Sequence, residues 1–142
     1  LKEALVGTFA LIDARIEINS VVMSGDITSV TLPIEFEELE DTAFGDVARS
    51  RLAGLQDSTL GLNFNQDMDD GAVDELIYAL LGTVVEVKVR KTSAAISAAN
   101  PEYVGSYLVS QWSPFGNAVG EKAAVSTAWP LSDPTGIARN VA

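Results

Sequence analysis

The sequence predicts a mainly β fold, a two-sheet β-sandwich or barrel with one flanking α-helix. Three observations predict it. Val, Ala, Leu, Ile and Thr dominate a chain that is 47% apolar but only 7% aromatic, and β-branched residues fit half-buried pleated surfaces. Several segments alternate apolar and polar residues with period two. One stretch alone has apolar residues at helical offsets of three and four. At 142 residues the chain has the length of a single domain, and 1–142 is read as one.

The first predicted strand runs from Leu5 to Met23, with Arg15 and Glu17 on one side and Ile16 and Ile18 on the other. Ser24-Gly25-Asp26 reads as a turn. Ile27 to Ile34 alternates again, so the two segments are expected to pair as a hairpin, with Pro33 closing it or sitting on an edge. Glu35 to Gly54 shows no clear period and is read as a long loop at 35–54, acidic at its start and closed by Arg49 and Arg51. A loop of that length inside one domain is usually functional.

Leu55 to Phe64 reads as one strand whose apolar side strengthens towards its end. Ala72 to Leu81 is the helix, with Val73, Leu76, Ile77, Leu80 and Leu81 on its apolar face. Asp69 or Asp70 is the expected cap, and Gly82 the expected stop. Thr83 to Arg90 alternates cleanly, Val85, Val87 and Val89 inward against Glu86, Lys88 and Arg90. Tyr103 to Trp112 and Ala118 to Trp129 are two more strands. From Pro130 the chain is rich in turn residues and reads as an extended C-terminal arm.

Composition narrows the chemistry. The chain has no Cys and no His, which removes disulfides, the usual zinc ligands, thiol nucleophiles and any His-based triad. Nine basic residues against twenty acidic give a net charge of −11, a surface that repels nucleic-acid phosphates. No apolar run approaches the ~20 residues of a membrane helix. The apolar stretch from Leu5 to Ile12 meets Asp13, Arg15 and Glu17 at once and lacks the flanks of a signal peptide. The chain opens at Leu1 rather than Met, which leaves room for an upstream segment.

Three segments invite a chemical reading. Asn65 to Gly71 looks like a calcium loop, but counted from Asn65 the sixth position is Asp70 and the twelfth Leu76, where Gly and Glu are needed. Helix capping explains its acids more simply. The Glu35 to Asp41 cluster supplies carboxylates without any sugar platform. The glycines around Gly116 to Glu121 lack the lysine and helix of a phosphate cradle. No catalytic, cofactor or metal residue is therefore assigned, and Trp112, Phe115 and Trp129 are read as core or interface residues.

The order of several short segments resembles the small tail tube proteins of long-tailed bacteriophages. These are Gly54-Leu55-Gln56-Asp57-Ser58-Thr59, Asn63 to Asp67 before the helix, Leu81-Gly82-Thr83 and Asn100-Pro101-Glu102-Tyr103. Pro114 to Gly120 and the ending from Trp129 to Arg139 belong to the same series, and Thr42-Ala43-Phe44-Gly45 is similar to the start of that family's long loop. The resemblance implies a tail tube-like β-sandwich assembled as hexameric rings that stack into a conduit for genome delivery. It implies partners of three kinds: other copies, tape-measure and other tail proteins, and viral DNA that passes without specific binding. The implied location is the virion tail, assembled in the host cytoplasm. Matched onto this chain, Phe44, Arg49 and Arg51 become loop contacts between subunits, and Arg15, Glu17 and Asp26 the lumen wall. A secretion-system tube subunit, which shares the ring-forming β architecture, is an alternative reading, and a head-decoration or tail-terminator protein is another. A carbohydrate-binding sandwich instead requires an exposed aromatic platform.

Overall fold

The computed structural model describes residues 8–142, so Leu5 to Gly7 of the first predicted strand lie outside the described residues. The fold is mainly β and sandwich-like, with a single helix among the described residues. Strands β1 (Arg15–Ile18) and β2 (Val21–Val22) are followed by a 3-10 turn (Ser24–Asp26) and β3 (Ile27–Thr31). Then come β4 (Glu35–Glu40), β5 (Arg51–Asp57), β6 (Thr59–Asn65) and the helix α1 (Val73–Leu80). Strands β7 (Val84–Arg90), β8 (Glu102–Leu108), β9 (Ala124–Pro130) and β10 (Ala138–Asn140) complete the chain. A five-stranded sheet runs β10-β8-β7-β1-β2, a three-stranded sheet runs β3-β6-β9, and β4-β5 form a sheet of their own. Each pairing is antiparallel.

The expected hairpin over Arg15 to Leu32 does not form. Asn19 (φ 52°) and Ser20 (φ 68°) both adopt left-handed backbone and turn the chain within two residues, so β1 pairs with β2 and with β7. Two consecutive positive φ values are what a tight hairpin turn demands. The 3-10 turn then carries the chain across to the other sheet, where β3 pairs with β6. Ser24 secures the crossing by accepting the Ile16 N–H on Oγ at 2.8 Å. The in-and-out order within β1 is as expected, with Ile16 and Ile18 buried.

The single strand expected over Leu55 to Phe64 is two strands in different sheets, divided at Ser58. Ser58 is buried, and its Oγ donates to the Pro33 carbonyl at 2.6 Å and lies 2.9 Å from the Tyr107 hydroxyl. Pro33 precedes β4 and Ser58 follows β5, so one buried knot pins both roots of that two-stranded sheet. The expected loop at 35–54 is accordingly a projecting hairpin, with strands through Glu40 and from Arg51 and a turn between them. Its lack of period has two causes. All six residues of β4 are exposed, so nothing imposes an inner and an outer side. A register shift between Phe36 and Glu38 also moves the phase along the pair.

The sandwich core is built from the alternation that is legible in β6, β7 and β9. Leu60, Leu62 and Phe64 face Val125 and Trp129 across the three-stranded sheet's inner side, with Val85, Val87 and Tyr107 from the larger sheet. Phe64 meets Trp112 edge to face with centroids 5.2 Å apart. Helix α1 closes one side by burying Val73 and Ile77. Its start differs from expectation, because Ala72 holds the cap position without a side-chain bond. The exposed N–H groups are met instead by Glu75, whose Oε2 accepts from Gly71 N–H, and by the Asp67 carbonyl, which accepts from Asp74 N–H. Asp74 and Glu75 in the first turn suit the helix dipole. Gly82 stops the helix with φ +81°, as expected.

The C-terminal stretch does not extend away. Leu131 N–H donates to Ser58 O and Ser132 N–H to Ser106 O, each at 2.9 Å, and β10 then pairs with β8. Asp133 turns the chain back. Its Oδ1 accepts from Thr135 N–H and Oγ1, and its Oδ2 from Ser106 N–H. These donors, the Thr135 hydroxyl foremost, hold its carboxyl below the ordinary aspartate range.

Candidate assembly surfaces

Three surfaces stand out by their chemistry: the β4-β5 arm and the outer faces of the two larger sheets. The arm carries apolar side chains that cover nothing. Phe36, Leu39, Leu52 and Leu55 are exposed along the strands, and Phe44 and Val47 at the tip are fully exposed. An isolated two-stranded hairpin is marginal in water, and exposed apolar residues in a cluster mark a contact surface. The tip is nonetheless a built turn. Ser50 N–H donates to Thr42 Oγ1 and Ala43 N–H to Asp46 Oδ2, both at 2.8 Å, and Gly45 takes φ +97°. At its root Gln56 Oε1 accepts the Ile137 N–H at 2.7 Å, which ties the arm to the C-terminal turn.

Phe44, Arg49 and Arg51 fall together at the far end of this arm. Phe44 projects from the tip, Arg49 forms an ion pair with Glu40, and Arg51 stands opposite Glu40 in the strand register. Arg49 is thus paired within the arm, and Arg51 sits beside the same glutamate in the ladder. Seven of the chain's twenty acidic residues remain on the arm segment: Glu35, Glu37, Glu38, Glu40, Asp41, Asp46 and Asp57.

The residues matched to a lumen wall are divided. Arg15 and Glu17 share the outer face of the five-stranded sheet, 3.6 Å apart, whereas Asp26 lies in the turn between the sheets. The hairpin that would have carried all three is absent. Their face continues across β7 and β8 with Glu86, Lys88, Arg90 and Glu102, aligned by register. Lys88 lies 3.6 Å from Glu86, and Arg90 Nε lies 3.0 Å from Glu102 Oε2. The Arg90–Glu102 pair is buried under the loop 91–101, where Arg90 Nη1 donates to Ala94 O at 2.6 Å and Asn100 Nδ2 to the same carbonyl at 2.9 Å.

Sequence reasoning missed the outer face of the three-stranded sheet. There Thr31, Gly61 and Ala128 lie side by side, next to Ser29, Asn63 and Ser126. Every one is small and uncharged on a chain of net charge −11. The signal was the small half of the alternation in Thr59 to Asn65 and Ala124 to Pro130. The acidic excess therefore gathers on the arm and in the segment before and within α1, not on this face.

Asp67 Oδ1 in the calcium-like segment accepts the Asp69 N–H at 3.0 Å. Among the described residues no group of three or more His, Cys, Asp or Glu side chains is placed to hold a metal ion. Trp129 is buried and donates from Nε1 to Gln111 O, and Trp112 packs on the core and donates to Asp74 Oδ1. Neither tryptophan offers a sugar platform. Among the described residues no helix is long and apolar enough to cross a membrane. The chain matches no protein-family model and no curated protein.

Proposed function

We propose that the chain is a structural building block, not a catalyst: a tail tube subunit that polymerises as stacked, hexameric rings into the conduit of a long-tailed phage. The observation that carries this reading is the β4-β5 arm, whose apolar strands and tip are exposed in one copy. Burying them against another copy removes apolar surface from water at roughly 25 cal/mol per Å². It also gives the arm's bare edges a partner. The segment resemblance to tail tube proteins, in a mainly β chain with one helix, supplies the form of the assembly. In this reading the arm reaches neighbouring copies, the virion tail is the final location, and tail proteins and passing DNA are the other partners.

Negative-stain microscopy of the purified protein, beside size-exclusion chromatography over a concentration series, tests it. The expected result is stacked rings or tubes from the native chain and none from a Phe44→Asp, Val47→Asp double variant. That variant should keep the native circular dichroism, since both side chains are fully exposed. A native chain that stays monomeric at every concentration would overturn the proposal.

A further inference from the structure

The five-stranded sheet is wider than the three-stranded sheet packed on it, and among the described residues its inner side is left open near one end. There Val89 and Tyr103, paired in register, line two adjoining depressions of about 460 and 310 Å³. Phe9, Leu11, Ala99 and Pro101 line the larger one, and Leu32 and Ile34 the smaller. Arg90, Lys91 and Arg139 also line the larger depression, and among the described residues no carboxylate does. With Arg90 turned to the outer face and paired with Glu102, Lys91 and Arg139 are the two cations that border this apolar groove. Arg139 is fixed in place there, with Nε donating to the Tyr103 hydroxyl at 3.1 Å.

The arm has the complementary character, with apolar Phe44 and Val47 at its tip among acidic residues. Its own tip does not fill the groove, because both side chains are fully exposed in the same copy. We propose that this groove is the receptor for the arm tip of a second copy, Phe44 and Val47 entering between Val89, Ala99 and Tyr103 while Asp41 and Asp46 approach Lys91 and Arg139. The inference rests on the assembly reading and names the receiving surface. Apolar burial supplies the affinity, and the opposed charges orient the approach and exclude the mismatched acidic surfaces.

A chain without cysteine allows a clean test. Val47→Cys protein is mixed with a larger, tagged Ala99→Cys protein under assembly conditions, oxidised, and read by gel for the mixed disulfide dimer. The control replaces the second partner with Ser126→Cys, on the outer face of the three-stranded sheet. The expected result is a 47–99 dimer well above the 47–126 control, reduced several-fold by adding Lys91→Glu and Arg139→Glu to the tagged chain. Tubes visible by microscopy with no excess of the 47–99 dimer would overturn the groove and leave the tube reading standing. Monomers that form neither tubes nor any cross-link would overturn both.

Discussion

Leu55 and Leu60 lie five positions apart on consecutive strands and meet opposite fates. Leu60 is 0% exposed inside the sandwich, and Leu55 is 80% exposed on the arm. Residue type, local backbone and β propensity are nearly the same for both. What differs is the second layer: β6 has a sheet facing it, and among the described residues β4-β5 have none. A strand is completed by what covers it, and among the described residues nothing covers the arm's apolar side chains.

The largest effect is expected from the leucine pair itself. Leu60→Ala should cost about 2–5 kcal/mol, because it opens a cavity in a packed core. Leu55→Ala should change unfolding of the monomer by less than about 0.5 kcal/mol, as exposed positions do. Urea denaturation of both variants at low concentration checks the contrast, and equal losses would break it. Next comes the Arg90–Glu102 pair, which is buried where the arm's Arg49–Glu40 pair is exposed. Glu102→Gln strands a guanidinium under the loop 91–101 and should cost about 3 kcal/mol. Glu40→Gln on the arm should cost under about 1 kcal/mol, the ordinary worth of a surface pair. Parallel denaturant midpoints measure the two.

The smallest effect is a matter of pH. Asp133 has its carboxyl held below the ordinary aspartate range by the Thr135 hydroxyl and neighbouring N–H groups, against an opposing cost of burial. A group with a depressed folded value contributes stability that is present above the unfolded carboxylate range and lost as pH falls through the folded value. The native chain should therefore lose stability below about pH 4, and Asp133→Asn should flatten that part of the curve. Thermal melts between pH 2 and pH 6 follow it, and an unchanged acid limb would show that the C-terminal turn is held by other means.

The same contrast decides what could be read from the residues. The inward valines of β7, the helix and the large half of β6 were legible, because burial on one side imposes a period. The arm was not, because both of its sides are wet and a bulge slips its register. That the segment stands apart from the sandwich was legible all the same, from twenty residues without a period. The false hairpin had a different cause. Asn19 is at ease in left-handed backbone, but Ser20 is not a residue that announces it, and no strand pattern shows where a chain changes sheets. Ser58 hid its division for a similar reason, since a serine passes unremarked inside a strand. Asp133-Pro134-Thr135-Gly136 was visible as a turn, but that β10 returns to β8 depends on contacts distant in sequence.

The knot of Pro33, Ser58 and Tyr107 gives the arm a property that its exposure alone would not suggest. Both strands leave the body through residues bonded to one buried hydroxyl cluster, and burial raises the Tyr107 hydroxyl above the ordinary tyrosine range. It therefore stays protonated, able to share that hydrogen bond, throughout the neutral range. The arm is thus less a tether than a bracket, its bearing set by the packing of the sandwich behind it. A change deep in the core near Tyr107 would re-aim a tip many residues away without touching any residue on it.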